Sequence, residues 1–291
     1  MEIKAIDVKK LREETNAGMM DCKKALLESD GDFEKAKLLL REKGQSKADK
    51  KSGRTTAQGL VRVETNDDYI SILEVNCETD FAAKDALFDD FVSKISKLIL
   101  SDSIDTIDQL NVQAIDEFGT VEDFRKFVVS KIGENITIRR FERVPLNGTA
   151  GSYIHGNKIA SLAIIENGDE QLAKDIAMHV AASQPEYIQF SDIPEDLLNQ
   201  EKKIITKQVE DEGKPAEIVP KIVEGKLNKQ LNSITLMGQE FIKDPDLTVA
   251  KLLDKNGASV VSFIRYEVGE GVEVEEVNFA DEVKAQVDAV N

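Results

Sequence analysis

The sequence predicts an α+β protein: a small helical module in front, two related halves of hairpins and packed helices, an inserted antiparallel helical hairpin and a C-terminal helix. Three features predict this. Residues 1–44 place their apolar side chains at helical spacing only. From residue 60 the pattern changes to hairpin, helix and strand, and that order then recurs. The closing strands of the two runs carry Arg140-Phe141-Glu142 and Arg265-Tyr266-Glu267, offset by 125 positions.

In the front module, residues 7–15 read as a helix with Val8 and Leu11 inward. Residues 20–29 form a second, with Cys22, Ala25 and Leu26 on one face. Asp32 is placed to cap a third that carries Phe33, Ala36 and Leu40, and Gly44 stands where a C-terminal glycine belongs. Three short helices enclose very little apolar volume, so this module on its own is expected to be marginally stable. Residues 45–59 are polar, without an apolar period, and read as a flexible linker.

The first core half, residues 60–145, opens with two strands around Asn66-Asp67-Asp68, a hairpin signal. A long helix over 80–100 follows, with Phe88, Phe91, Val92, Ile95 and Leu98 as its stripe. A helix over 121–132 and a strand over 136–144 complete the half. The second half, residues 146–268, repeats the order around the Gly156-Asn157 turn, with a helix over 170–183 and a final strand over 259–268. The hairpins of the two halves are offset by less than their closing strands, so the second half holds an insertion. Residues 191–232 match it and read as two helices. Leu197, Ile204, Ile205 and Val209 lie on one; Val219, Val223, Leu227 and Leu231 lie on the other. Such a hairpin has little core of its own, so its stripe is expected to meet a partner or a second copy. A C-terminal module, residues 269–291, is acidic and then helical over 279–290.

Charge narrows the function. The chain carries −17, yet residues 1–54 hold 14 Lys+Arg against 11 Asp+Glu, which leaves −20 on residues 55–291. So acidic a body repels phosphate backbones, which disfavours broad nucleic-acid binding and favours a protein partner. The basic cluster Lys47, Lys50, Lys51 and Arg54 has no interleaved aromatic residue to stack on bases, so a solvated tether explains it better. No apolar run approaches the roughly 18 residues of a membrane span, and the N-terminus lacks the apolar core of a secretory signal. A cytoplasmic protein with no membrane partner is expected.

Enzyme signatures are missing. Two histidines, His155 and His179, and two cysteines, Cys22 and Cys77, form neither a disulfide framework nor a metal-ligand pattern. No phosphate-cradling glycine loop and no nucleophile elbow is present. His179 sits beside an apolar stripe and reads as a structural residue at a core edge. The expectation is a chain with no cofactor, no metal and no catalytic centre.

At Asn76-Cys77-Glu78-Thr79-Asp80-Phe81-Ala82 a strand gives way to the long helix. Thr79 or Asp80 can cap the helix, with Phe81 in its first turn. Phe81 has two readings. It can extend the core stripe, since 81, 88 and 95 are seven apart, although Lys84 and Asp85 interrupt that stripe. Otherwise it is an exposed aromatic anchor at a helix tip, suited to another protein's pocket.

A resemblance separates these alternatives. Leu11-Arg12-Glu13-Glu14-Thr15, then Ala17 through Leu26, is similar to the start of bacterial elongation factor Ts. So are Leu73–Cys77 with Thr79-Asp80-Phe81, Lys131–Ile136, His179–Ser183, Gly213-Lys214-Pro215 and Phe263–Gly271, in order along nearly the whole chain. That family exchanges guanine nucleotide on elongation factor Tu, the GTPase that delivers aminoacyl-tRNA. The resemblance implies a ubiquitin-associated-like (UBA-like) front module and a core of two related antiparallel-sheet subdomains. It also implies that the helical hairpin serves a homodimer. It gives Thr79, Asp80, Phe81 and Ala82 the role of entering the GTPase near its magnesium site. Ala82 stands where relatives often have Val. By matching, Arg12, Met19 and Met20 contact the GTP-binding domain, and His155 falls in a further contact region. Pro220 departs from the family pattern and fits a helix only at its start. The competing functions are a ribosome- or RNA-associated accessory protein using residues 1–54, a ubiquitin-type peptide-binding module, and an enzyme with an unfamiliar site.

Overall fold

The computed structural model describes residues 3–273, apart from residue 16, residues 102–103, 116–117 and 213–214, and residue 216. The helix expected over 279–290 lies outside them. Among the described residues no helix is long and apolar enough to cross a membrane.

The front module consists of α1 (Ala5–Thr15), α2 (Met19–Glu28) and α3 (Phe33–Asp49). Val8, Leu11, Cys22, Ala25, Leu26 and Ala36 close one small core. Asp32 caps α3 as expected, accepting from the Lys35 N–H at 3.1 Å. The far end differs from expectation. Gly44 does not stop α3, which runs on to Asp49. Instead Gly44 lies against Ser130, where a Cβ would sit 3.4 Å from the Ser130 hydroxyl oxygen. The glycine lies where α3 crosses the later helix that carries Ser130, with room for a methyl group but little more.

Residues 45–59 are therefore not a free linker. They comprise the end of α3, main-chain turns closed by Lys51 N–H to Ala48 O and Arg54 N–H to Lys51 O at 3.0 Å, and the start of β1 (Gln58–Thr65). Ala48 is buried in the core of the first half. Polar composition misled because the surface that α3 covers is itself polar. Arg41 meets Asp123 at 2.9 Å, Asp49 meets Lys126 at 2.9 Å, and the Lys131 ammonium donates to Thr15 O at 3.0 Å.

In the first half β1 pairs with β2 (Tyr69–Cys77). Asn66 closes the hairpin, its side-chain oxygen accepting from the Asp68 and Tyr69 N–H groups at 3.0 and 2.7 Å. The chain continues through a short 3-10 turn (Ala82–Lys84), α4 (Ala86–Ser101), α5 (Ile107–Asn111), the small pair β3 (Ala114–Ile115) and β4 (Gly119–Thr120), and α6 (Val121–Ile132). Then β5 (Ile136–Pro145) returns beside β2, so the order is β1-β2-β5.

The second half uses the same plan. β6 (Thr149–His155) and β7 (Ile159–Glu166) flank Gly156 and Asn157, whose φ values of 56° and 58° make the two-residue turn that matches strand twist. After α7 (Glu170–Ser183) and the insertion, the final strand, residues 259–267, pairs antiparallel with β7. In each half the second hairpin strand is central and the closing strand lies on its free side. This is the repeat that the two Arg-aromatic-Glu triplets predict.

Strand alternation sorts the cores. Leu73, Val75 and Cys77 face α4 and α6, with Phe88, Phe91 and Phe124. Ala163 and Ile165 face α7. The opposite faces meet each other: Val61, Ile70 and Ile72 pack on Ala160, Leu162, Ile164 and Tyr266. The layers run helix, sheet, sheet, helix. Because β7 is buried on both faces, its sequence is apolar without alternation.

The insertion is a helical hairpin of α8 (Glu195–Asp211) and α9 (Val219–Ile234). Starting α9 at Val219 puts Pro220 in the first turn, where its missing N–H costs nothing. Part of the stripe is used within the hairpin, where Ile205, Val209 and Val223 pack together, while Ile204 stays 43% exposed. Between the hairpin and the last strand lie β8 (Glu240–Phe241), β9 (Asp244–Thr248) and α10 (Val249–Asn256), which makes the last strand β10 (Ser259–Glu267). Strands this short leave no period to detect, although Phe241, Val249 and Leu253 complete the second core.

Candidate functional site

The segment after β2 is built differently from the expected helix tip. Asp85 is extended, with ψ of 135°, and its side chain accepts from the Leu87 N–H at 2.8 Å. A short acceptor so placed competes with helix propagation, so α4 begins only at Ala86. The helix expected over 80–100 is thus a separate 3-10 turn followed by α4. Phe81 stands at the head of that turn, and Thr79 caps it by accepting from the Ala82 N–H at 3.3 Å.

Phe81 is 80% exposed, which excludes the core-stripe reading. Its ring has the Lys84 ammonium 5.9 Å from its centroid. Asp80 pairs with Lys84 at 2.8 Å, and that hydrogen bond, aided by the charge, holds the Asp80 carboxyl below its ordinary value. At 4% exposure the Ala82 methyl group belongs to the first half's own core.

A second segment braces the turn. Glu134 accepts the Thr79 N–H at 2.9 Å and the Thr79 hydroxyl at 2.6 Å. In return Glu78 accepts the Asn135 N–H at 2.6 Å. Gly133, with φ of 87°, ends α6 and turns the chain into this position. The Lys51 ammonium donates to Gly133 O, and the Asn135 amide donates to Ser52 O and Arg54 O at 3.2 and 2.9 Å. Lys51 and Arg54, from the basic cluster, are therefore engaged within the chain; Arg54 also lies 3.3 Å from Glu78.

The β6–β7 turn adjoins the same end. Lys158 donates to Gln58 Oε1 and Gly59 O at 2.8 and 3.1 Å, and Gln58 is the register partner of Cys77. Lys158 also contributes to lowering the Asp80 carboxyl. His155, on this turn, is exposed, with its Nδ1 3.3 Å from the Tyr153 hydroxyl. Arg12, Met19 and Met20 are exposed on the front module, Met19 and Met20 by 54% and 64%. The folded chain thus offers an aromatic tip, a neighbouring polar turn, and an exposed patch on a module docked on α6.

Cys77 is not activated as a nucleophile. Burial, reinforced by Glu134, pushes the Cys77 thiol up to about 12, and it donates to Thr79 O at 3.1 Å. His179 is fully buried, as expected of a structural residue. Its Nδ1 accepts from the Ile242 N–H, so Nε2 carries the proton and donates to Gln239. Among the described residues no group of three or more His, Cys, Asp and Glu side chains is placed to hold a metal ion.

Residues 78–270 match the family model described as Elongation factor TS. The chain is 48% identical over 292 residues to elongation factor Ts of Hydrogenovibrio crunogenus, covering 100% of this chain and 99% of the relative. It is 50% identical over 292 residues to that of Methylococcus capsulatus, covering 99% and 100%. With that of Legionella pneumophila strain Lens it shares 44% over 287 residues, 98% of each chain. The chain belongs to the elongation factor Ts family. Membership agrees with the mixed helix and antiparallel-sheet architecture. Sequence reasoning missed Glu134, Asn135 and Lys158 as parts of this end. The first two stand inside the motif Lys131–Ile136, whose likeness to the family was legible while its structural task was not.

Proposed function

We propose that this chain promotes guanine-nucleotide exchange on elongation factor Tu by inserting the turn at Thr79–Phe81 near the magnesium site of that GTPase. The observation that carries the proposal is the exposed Phe81 ring on a short, braced turn. An aromatic ring presented on a braced turn is the kind of anchor that a partner's pocket can bury. Family membership supports elongation factor Tu as that partner.

Exchange requires no bond to be made or broken by the chain. It binds the GTPase more tightly without nucleotide than with it, and by reciprocity it weakens nucleotide binding by the same factor. A thousandfold weakening corresponds to about 4 kcal/mol. Burying one Phe supplies about 1.5–3 kcal/mol. Phe81 therefore acts with other contacts, and Arg12, Met19 and Met20 on the front module and His155 on the adjoining turn fit that need. In this mechanism Phe81 wedges apart the elements that hold magnesium and phosphate. Asp80, already paired with Lys84, keeps the polar side of the turn toward solvent or a polar partner group.

The test is release of fluorescent GDP from purified elongation factor Tu. The chain is expected to accelerate release, and Phe81→Ala to remove most of the acceleration. No acceleration by the unaltered chain overturns the exchange reading. Undiminished acceleration by Phe81→Ala overturns the wedge.

A further inference from the structure

We infer that Glu134 is a positioning residue for exchange, acting through Thr79 to hold Phe81 in the geometry that enters the partner; this rests on the exchange reading above. Residues 78–81 belong to neither a strand nor a helix, and their carbonyls accept only local main-chain bonds, Ala83 N–H to Thr79 O at 3.3 Å and Lys84 N–H to Phe81 O at 3.1 Å, which close the turn without fixing its direction. Phe81 has no packing to hold it, being 80% exposed. Buried Ala82 seats the turn from behind, and two sets of side-chain contacts could order its head. The Asp80–Lys84 pair is the weaker, because both side chains are largely in water, at 47% and 72% exposure. The Glu134 carboxylate instead takes both the N–H and the hydroxyl of Thr79, at 2.9 and 2.6 Å, in charge-assisted bonds at a half-buried site. The hydroxyl it receives is the same group that accepts from the Ala82 N–H. One carboxylate thus sets Thr79, and Thr79 sets the turn that Phe81 heads.

The clamp is itself anchored. Asn135, its neighbour, is buried and ties back to Ser52, Arg54 and Glu78. A brace tied to α6 and β5 keeps the aromatic tip preorganised, so docking does not lose the free energy of ordering it.

The experiment measures GDP release from elongation factor Tu with full-length variants, recording both the maximal rate and the half-saturating concentration. Thermal midpoints check that each variant is folded. Glu134→Ala removes both bonds to Thr79 and is expected to slow release by about tenfold or more, since each charge-assisted bond contributes about 1.5 kcal/mol or more to ordering the tip. Thr79→Val, close in shape but without the hydroxyl, is expected to slow it similarly, and Thr79→Ser to restore it within about twofold of the unaltered chain. The double variant Glu134→Ala/Phe81→Ala is expected to be no slower than Phe81→Ala. Multiplying losses in the double variant, or an unaltered rate with Glu134→Ala while Phe81→Ala is slow, overturns the inference and leaves the exchange reading standing. A Phe81→Ala rate equal to that of the unaltered chain removes the wedge and the clamp together. If Glu134→Ala does not fold, the Thr79→Val and Thr79→Ser pair decides: equal rates overturn the inference.

Discussion

The main-chain N–H of Gly269 donates to the Glu74 carboxylate at 2.8 Å, joining residues 195 positions apart. Glu74 stands on the central strand of the first sheet and is fully buried. Gly269 follows the last strand of the second. Arg139 and Arg140, at 2.9 and 2.6 Å, complete the shell of the carboxylate, and Arg140 also stacks on Tyr266 at 4.1 Å. One buried anion thus adds a polar tie to the apolar contact between the two related halves.

This carboxylate predicts an acid limb in stability. Burial alone would push the Glu74 carboxyl up, but the Gly269 N–H and the two guanidiniums outweigh burial and hold it below its ordinary value. Its contribution is complete above the unfolded value of 4.5 and is lost as pH falls through the lower folded one. Glu74→Gln is expected to cost about 2 kcal/mol at neutral pH, since both arginines keep some water, and to flatten this limb. Denaturant titrations at pH 7 and below 4.5 check it; an unchanged acid limb contradicts it.

Phe81→Ala is expected to change stability by less than about 0.5 kcal/mol, because the ring is in water. A core phenylalanine would cost about 3–5 kcal/mol. Thermal unfolding separates the two readings of this residue without reference to any partner.

Gly44 offers a graded test of how the front module sits on α6. Gly44→Ala places a methyl group 3.4 Å from the Ser130 hydroxyl oxygen, an ordinary contact, and relieves the helix-interior penalty of about 0.5–1 kcal/mol. It is expected to stabilise. Gly44→Leu is expected to push α3 off α6. Small-angle scattering should then show an expanded molecule, with faster proteolysis around residues 50–57.

Burial holds the His179 imidazole below its ordinary value, while its bond to Gln239 acts the other way. The unfolded chain takes up a proton near 6.5 that the folded chain refuses, so this contribution is complete above 6.5 and declines as pH falls below it. The ring carbon shifts of His179 should titrate with a midpoint below 6.5. A midpoint at or above 6.5 would contradict the neutral tautomer that the Ile242 N–H and Gln239 require.

Local chemistry was legible wherever it decides structure within a few residues. The Asp32 cap, the Asn66 and Gly156-Asn157 turns, the stripes of α4 and α7, and the break before α9 each follow from neighbours in sequence. The repeat was legible because both halves write the same order of elements. Gly44 was misread because a glycine after an apolar stripe looks the same whether it ends a helix or lets another helix pass. The burial of Ala82 was not legible, because it depends on α4 and β2 meeting around it. The clamp of Glu134 on Thr79 spans 55 positions and had no local signature.

The sequence by itself determined the helical front, the doubled core, the inserted hairpin and the family likeness of the Thr79–Phe81 segment, because periodicity, turn chemistry and motif order are properties of short stretches. Only the tertiary structure decided that residues 45–54 dock, that the hairpin buries part of its own stripe, and that Phe81 stands in water on a braced turn. Those outcomes depend on which distant surfaces meet. Exposure is what remains after every such meeting has been made.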